Sequence, residues 1–147
     1  MISRFETFTV LIAKINRNIK KIKNQEMAEY DLRSTHVSCL YYLYCEKSLT
    51  ATDLCEKCEE DKATISRTLD YLEKHGFVVC RTSAQKRYKS PLALTEKGMQ
   101  VGKEISDKIN AVLAHLTPDL SEEERNTFYR SLTIISESLE KCVKDAL

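Results

Sequence analysis

The sequence predicts a mainly α-helical chain of α+β class, broken once by a short two-stranded β-hairpin. Three observations lead there. Apolar residues recur at helical spacing through most of the 147 residues. Only 3 Gly and 2 Pro interrupt them, too few for the many turns of a β-sandwich. Near residue 77 the pattern switches to short β-branched alternation. The length suits one domain with a sizeable core.

The elements follow in order. Phe5, Phe8, Ile12, Ile15, Ile19 and Ile22 step by three and four, a narrow heptad seam on a first helix. Residues 34–46 carry Val37, Leu40, Tyr41 and Tyr44 on a second helix. Thr50, with Asp53 three residues on, opens a short third helix to about Cys58. Asp61 caps a fourth, which buries Ile65, Leu69 and Leu72 and stops at Gly76, a residue suited to left-handed backbone. Residues 77–81 and 91–95 read as two strands joined by a polar loop. Thr95 caps a long helix along Val101, Ile105, Ile109, Val112 and Leu116, interrupted at Thr117-Pro118. Ser121 and Glu124 start the last helix with a capping box, and its seam is Phe128, Leu132, Ile135, Leu139 and Cys142. Each seam is too short for a free coiled coil. Mutual burial across a homodimer is the expected use of both, with packing inside one chain as the alternative.

Apolar runs are too short to cross a membrane. The N-terminus has Arg4 and Glu6 before its apolar residues and no small-residue cleavage site, so a cytoplasmic location is expected. There the six Cys should be thiols. A net charge of +1 announces no polyanion partner for the whole molecule, so any such signal must be local. It is local in two places. The front of the fourth helix gathers Lys62, Thr64, Ser66 and Arg67, slim and polar enough for a DNA major groove, with helix-terminal amides expected to meet phosphate. The hairpin loop carries Arg81, Lys86, Arg87 and Lys89 and no acid, as an arm reaching phosphates or a minor groove requires. Short helix, turn, helix and basic hairpin together make a winged helix-turn-helix pattern, with double-stranded DNA as the partner.

The stretches TATDLCEKC, DKATISRTLDYLEKHGFV and, beyond the basic loop, LALTEKG resemble the MarR family of bacterial transcriptional regulators over essentially the full length. That resemblance implies a single domain over 1–147, with a winged-helix part at about 34–96 and helical dimerisation parts at about 1–30 and 97–147. It further implies a palindromic DNA site, a repressor's role, release by a small-molecule effector, groove-facing Thr64, Ser66 and Arg67, and Arg87 as the wing arginine. Two departures stand out. Gln85 occupies the place of an acid that often orients the wing arginine, and the turn before the fourth helix, CEED, lacks the frequent Gly. Glu59 and Glu60 there should repel phosphate slightly.

The remaining motifs have blander readings beside sharper ones. Cys55 and Cys58 form a C-x-x-C, but no second pair exists to complete a zinc site, so no metal is expected. Packing against the recognition helix is the favoured reading, and a thiol switch the sharper one. Cys39, Cys45, Cys80 and Cys142 are expected to be buried. His36, Tyr41 and Tyr44 lie where the resemblance puts an effector pocket, although aromatics at helical spacing more often form core. Arg33, before the second helix, is a candidate phosphate contact. No catalytic constellation or phosphate-binding Gly loop is present, so neither enzymatic activity nor a cofactor is expected. The alternative function is a ligand- or redox-sensing winged-helix interaction module with weak or no specific DNA binding.

Overall fold

A computed structural model describes residues 4–80, 89–116 and 119–146, with side chains from residue 7 onward. The order is α1 (Arg4–Glu26), a single 3-10 turn (Ala28–Tyr30), α2 (Ser34–Glu46), α3 (Ala51–Cys58), α4 (Lys62–Lys74), β1 (Val78–Cys80), β2 (Leu92–Leu94), α5 (Glu96–Leu116) and α6 (Glu122–Asp145). The expected mainly α, winged-helix architecture is what is found. Two compact units divide the chain, residues 1–108 and 109–147.

Local chemistry sets the helix starts in the first unit. The Thr50 hydroxyl accepts from the Asp53 amide at 3.2 Å while the Asp53 carboxylate accepts from the Thr50 amide at 2.8 Å. Both end groups of α3 are thereby satisfied from within four residues. Asp61 caps α4 by accepting the Thr64 amide at 2.7 Å. α3 ends differently from most helices, on a non-glycine left-handed residue, Glu59 at φ 52. α4 is followed by Gly76 at φ 75, where a side chain would be strained.

The core lies where α2, α3, α4 and the hairpin meet. Leu40, Leu43, Leu54, Ile65, Leu69, Leu72 and Leu92 are completely buried, and Phe77, Val101 and Ile105 nearly so. Each such side chain stabilises the fold by about 1.5–3 kcal/mol. β1 and β2 pair antiparallel, Val79 opposite Ala93. Leu49 adds an isolated bridge to Leu92, its amide and carbonyl both engaged, so the hairpin base is tied to the segment between α2 and α3. Thr95 joins the far side. Its hydroxyl donates to the Gly76 carbonyl at 2.5 Å and accepts from the Gly98 amide at 3.1 Å, which starts α5 beside the end of α4. Two polar contacts hold the corner after α1 against α5: the Tyr30 hydroxyl donates to Glu104 at 2.6 Å, and Lys108 donates to the Glu26 carbonyl at 2.7 Å.

Much of the apolar surface of the heptad seams is exposed. On α1, Phe8, Ile12, Ile15 and Ile19 are all exposed, as are Val10 and Leu11. Within the second unit, Phe128, Ile135 and Leu139 on α6 are likewise exposed. No helix among the described residues is long and apolar enough to cross a membrane.

Candidate nucleic-acid interface

α4 is seated by one face and exposed on the other. Ile65, Leu69 and Leu72 enter the core, and the Thr68 hydroxyl is turned inward to the Thr64 carbonyl at 2.8 Å. Lys62, Ala63, Arg67, Asp70 and Lys74 are exposed, while Thr64 and Ser66 are half-buried at the edges. An Arg67 guanidinium nitrogen lies 3.4 Å from the Thr64 hydroxyl oxygen, so the two form a local pair on the helix surface. Ala63 was missed in the sequence. It presents a small apolar surface between two polar residues, a shape that suits a thymine methyl.

One expectation needs correction. Asp61 takes the Thr64 amide, and its carboxyl is held below the usual range chiefly by that bond, with smaller help from Arg67 and the Ala63 amide. One of the amides expected to meet phosphate is thereby taken, and the first turn of α4 carries a carboxylate beside those that remain. Positive charge at this end comes from Lys62 and Arg67.

A second attachment fixes the recognition helix from its far end. The Tyr71 hydroxyl donates to the Asp31 backbone carbonyl at 2.8 Å, across the corner between α1 and α2. Tyr71 is sandwiched between two histidines, with ring centroids 4.3 Å from His36 and 4.0 Å from His75. Burial, followed by the nearby Arg33 charge, pushes the His36 pKa down. Its Nδ1 accepts the Arg33 amide at 3.0 Å, while the Arg33 residue itself is exposed at the start of α2.

Lys89 is exposed just before β2. Arg81, Lys86 and Arg87, and the Gln85 departure, lie outside the described residues. The three pocket candidates are not brought to one place. His36 stacks on Tyr71, Tyr41 meets Tyr42 edge-on at 5.5 Å, and Tyr44 faces Gly102 of α5. His36 and Tyr44 are two turns apart on α2, about 12 Å along the axis.

The cysteines depart from expectation more clearly. Cys39 is buried, but Cys45 and Cys142 are exposed and Cys80 is half-buried. The C-x-x-C does not pair with itself. Cys58 lies 3.9 Å, sulfur to sulfur, from Cys39 of α2, whereas Cys55 is close enough to the start of α4 to sense Asp61 and Lys62. Among the described residues no group of three or more His, Cys, Asp or Glu is placed to hold a metal ion.

Comparison with known proteins agrees with this geometry. The MarR family model matches residues 32–85, from the start of α2 into the hairpin loop. The HTH-type transcriptional regulator YfiV of Bacillus subtilis is 28% identical over 120 residues, covering 82% of this chain and 75% of that one. Among solved structures, NMB1585, a MarR family regulator from Neisseria meningitidis, superposes with a TM-score of 0.84 at 20% identity, covering 99% and 100% of the two chains. The MepR–DNA complex of S. aureus gives a TM-score of 0.80 at 24% identity, covering 93% of this chain and 99% of that one.

Proposed function

From the premise that the chain belongs to the MarR family of DNA-binding transcriptional regulators, we propose that it acts as a homodimer on a palindromic operator, as a repressor that a small-molecule effector releases. The observation that carries the DNA half is α4 itself. Its inner face is locked into the core, and its outer face offers Lys62, Ala63, Ser66 and the Arg67–Thr64 pair. In a major groove these supply one phosphate-seeking lysine, one apolar contact and an arginine able to grip guanine or phosphate in bidentate fashion. Lys89 and the loop residues Arg81, Lys86 and Arg87 add charge for the flanking backbone. Arg33 contributes from the start of α2.

The dimer is supported by the exposed apolar stripes on α1 and α6, which leave too many large aliphatic side chains in water for a lone protomer. Two-fold symmetry then requires two half-sites related by the same axis, hence a palindrome. Repression and effector release rest on the family resemblance; His36, Tyr41 and Tyr44 face different neighbours, so the effector's place is left to a ligand screen.

The test is an anisotropy titration of the full chain against DNA from upstream of its own gene, beside a shuffled fragment, at several salt concentrations. Selective binding of one dimer per site, weakening with salt, is the expected result. Equal and weak binding to both fragments at every salt concentration would overturn the operator reading. Replacing Lys86, Arg87 and Lys89 together by Ala should remove binding while leaving the helical circular dichroism unchanged.

A further inference from the structure

Cys39 and Cys58 come from different helices, nineteen positions apart, and meet with their sulfurs 3.9 Å apart. Their surroundings are unequal. Cys39 is completely buried, while Cys58, the last residue of α3, is half-exposed. A cation waits beside them. Lys23 of α1 is half-buried, donates to the Ser38 hydroxyl at 2.9 Å and lies near enough to Cys58 to stabilise a thiolate there. The carboxyl end of a helix disfavours an anion. The contact between the two thiols, in which either sulfur can donate, and the Lys23 ammonium both act against that effect. They draw the Cys58 pKa down, whereas the same hydrogen bond and burial push Cys39 up.

We propose that Cys39 and Cys58 form an intrachain oxidation site for hydroperoxides, with Cys58 as the attacking thiol and Cys39 as the resolving one. The Cys58 thiolate displaces alkoxide or hydroxide from the terminal peroxide oxygen. The leaving group takes up a proton, and Cys58 becomes a sulfenic acid. The Cys39 sulfur then attacks the Cys58 sulfur. A sulfur–sulfur bond forms, the sulfur–oxygen bond breaks, and hydroxide leaves with the Cys39 proton as water. Two thiols and one hydroperoxide become one disulfide, one alcohol (or water) and one water.

The bond has a mechanical result. A disulfide spans about 2.05 Å between sulfurs, so the two sulfurs must close by nearly half of their present separation. Cys58, half-exposed on the last turn of α3, is the side with room to move, because Cys39 is buried in the core. Cys58 is joined to the left-handed Glu59 and, through it and Glu60, to Asp61, the cap of α4. Closing the bond therefore pulls on the turn that sets the angle between α3 and the recognition helix. That consequence rests on the DNA-binding reading. The chemistry of the pair does not.

The experiment treats the full chain with hydrogen peroxide or an organic hydroperoxide, alkylates free thiols without reduction, and maps the peptides by mass spectrometry. The expected product links Cys39 to Cys58, in the native chain and in Cys55→Ser alike. Cys58→Ser should give no such link. Cys39→Ala should stop at a Cys58 sulfenic acid that dimedone traps. Exposed Cys45 and Cys142 serve as internal evidence that oxidant reached the protein. If those are oxidised while Cys39 and Cys58 stay free, or if Cys58 is found joined to Cys55 or to another chain, the assignment is wrong. Operator affinity, measured on the same samples, should fall about tenfold on oxidation and return with dithiothreitol. An unchanged affinity with the link formed would refute the regulatory consequence. Failure of the reduced protein to bind DNA would instead count against the function proposed above, and leaves the peptide map as the test of the site.

Discussion

Gly98→Ala tests how α5 is joined to the hairpin. A Cβ at Gly98 would stand 2.0 Å from the Phe77 carbonyl oxygen, 3.0 Å from its carbon and 3.2 Å from the Leu94 Cβ. Nothing flexible is available to yield, since the obstacle is backbone. That carbonyl also accepts the Thr95 amide at 3.0 Å, and the Phe77 ring is buried in the core. Relief requires a shift of at least about 1 Å, which core overpacking prices at about 1–3 kcal/mol. The Thr95 bond, if broken, adds about 1 kcal/mol. Alanine's better helix propensity returns about 0.5–1 kcal/mol. The net expectation, with that bond broken, is a loss of roughly 1–3.5 kcal/mol. Gly76→Ala is the control. Its φ of 75 strains a side chain, but nothing lies within 4 Å, so only the conformational cost of about 1–2 kcal/mol applies. Urea unfolding followed by circular dichroism at one protein concentration ranks the two variants, and the Gly98 midpoint should drop by roughly 1–2 M. If Gly98→Ala unfolds at the same urea concentration as Gly76→Ala or higher, the close approach of α5 to Phe77 is not what the geometry says.

Arg67→Ala should flatten the plot of log affinity against log salt by about 0.9 for every phosphate no longer neutralised, if the guanidinium grips the backbone. An unaltered slope with relaxed sequence preference would assign it to a base instead. Ile15→Lys, on the exposed stripe of α1, should move the protein from dimer to monomer in sedimentation velocity; an unshifted dimer would remove α1 from the interface. His36 supplies a pH test. Its pKa is lowered by burial and then by Arg33, so the unfolded chain gains a proton near 6.5 while the folded chain waits for lower pH. Stability must therefore fall as pH drops below 6.5 and level off below the folded value. His36→Asn should show a shallower fall over that window in thermal melts, and an identical fall in both proteins would assign it to other groups.

Much of this fold is legible because its signals are local. Thr50 with Asp53, Asp61 before Thr64, and Ser121 with Glu124 all cap helices through bonds that reach only three residues along the chain, and such bonds are written directly in the sequence. The same holds for the inward residues of α4. What escaped detection is non-local or conformational. The Leu49–Leu92 bridge joins residues that no periodicity relates. Glu59 adopts a left-handed backbone that glycine usually marks. The C-x-x-C drew attention to Cys55, although the sulfur beside Cys58 belongs to another helix. Free amides at the front of α4 were expected from the helix alone, and the cap that defines the helix takes the Thr64 one.

The bare aliphatic stripes of α1 and α6 bear finally on how much of the protein a cell makes. On the dimeric reading, residues such as Ile15, Ile19 and Leu139 gain shelter when two protomers meet, so the ordered state is linked to protomer concentration by mass action. Each tenfold dilution subtracts about 1.4 kcal/mol from the assembled form. A regulator built this way measures its own supply. As copies grow scarce, occupancy of a two-fold site falls with the square of the free protomer and not in proportion to it, so a modest change in synthesis becomes a sharper change at the promoter.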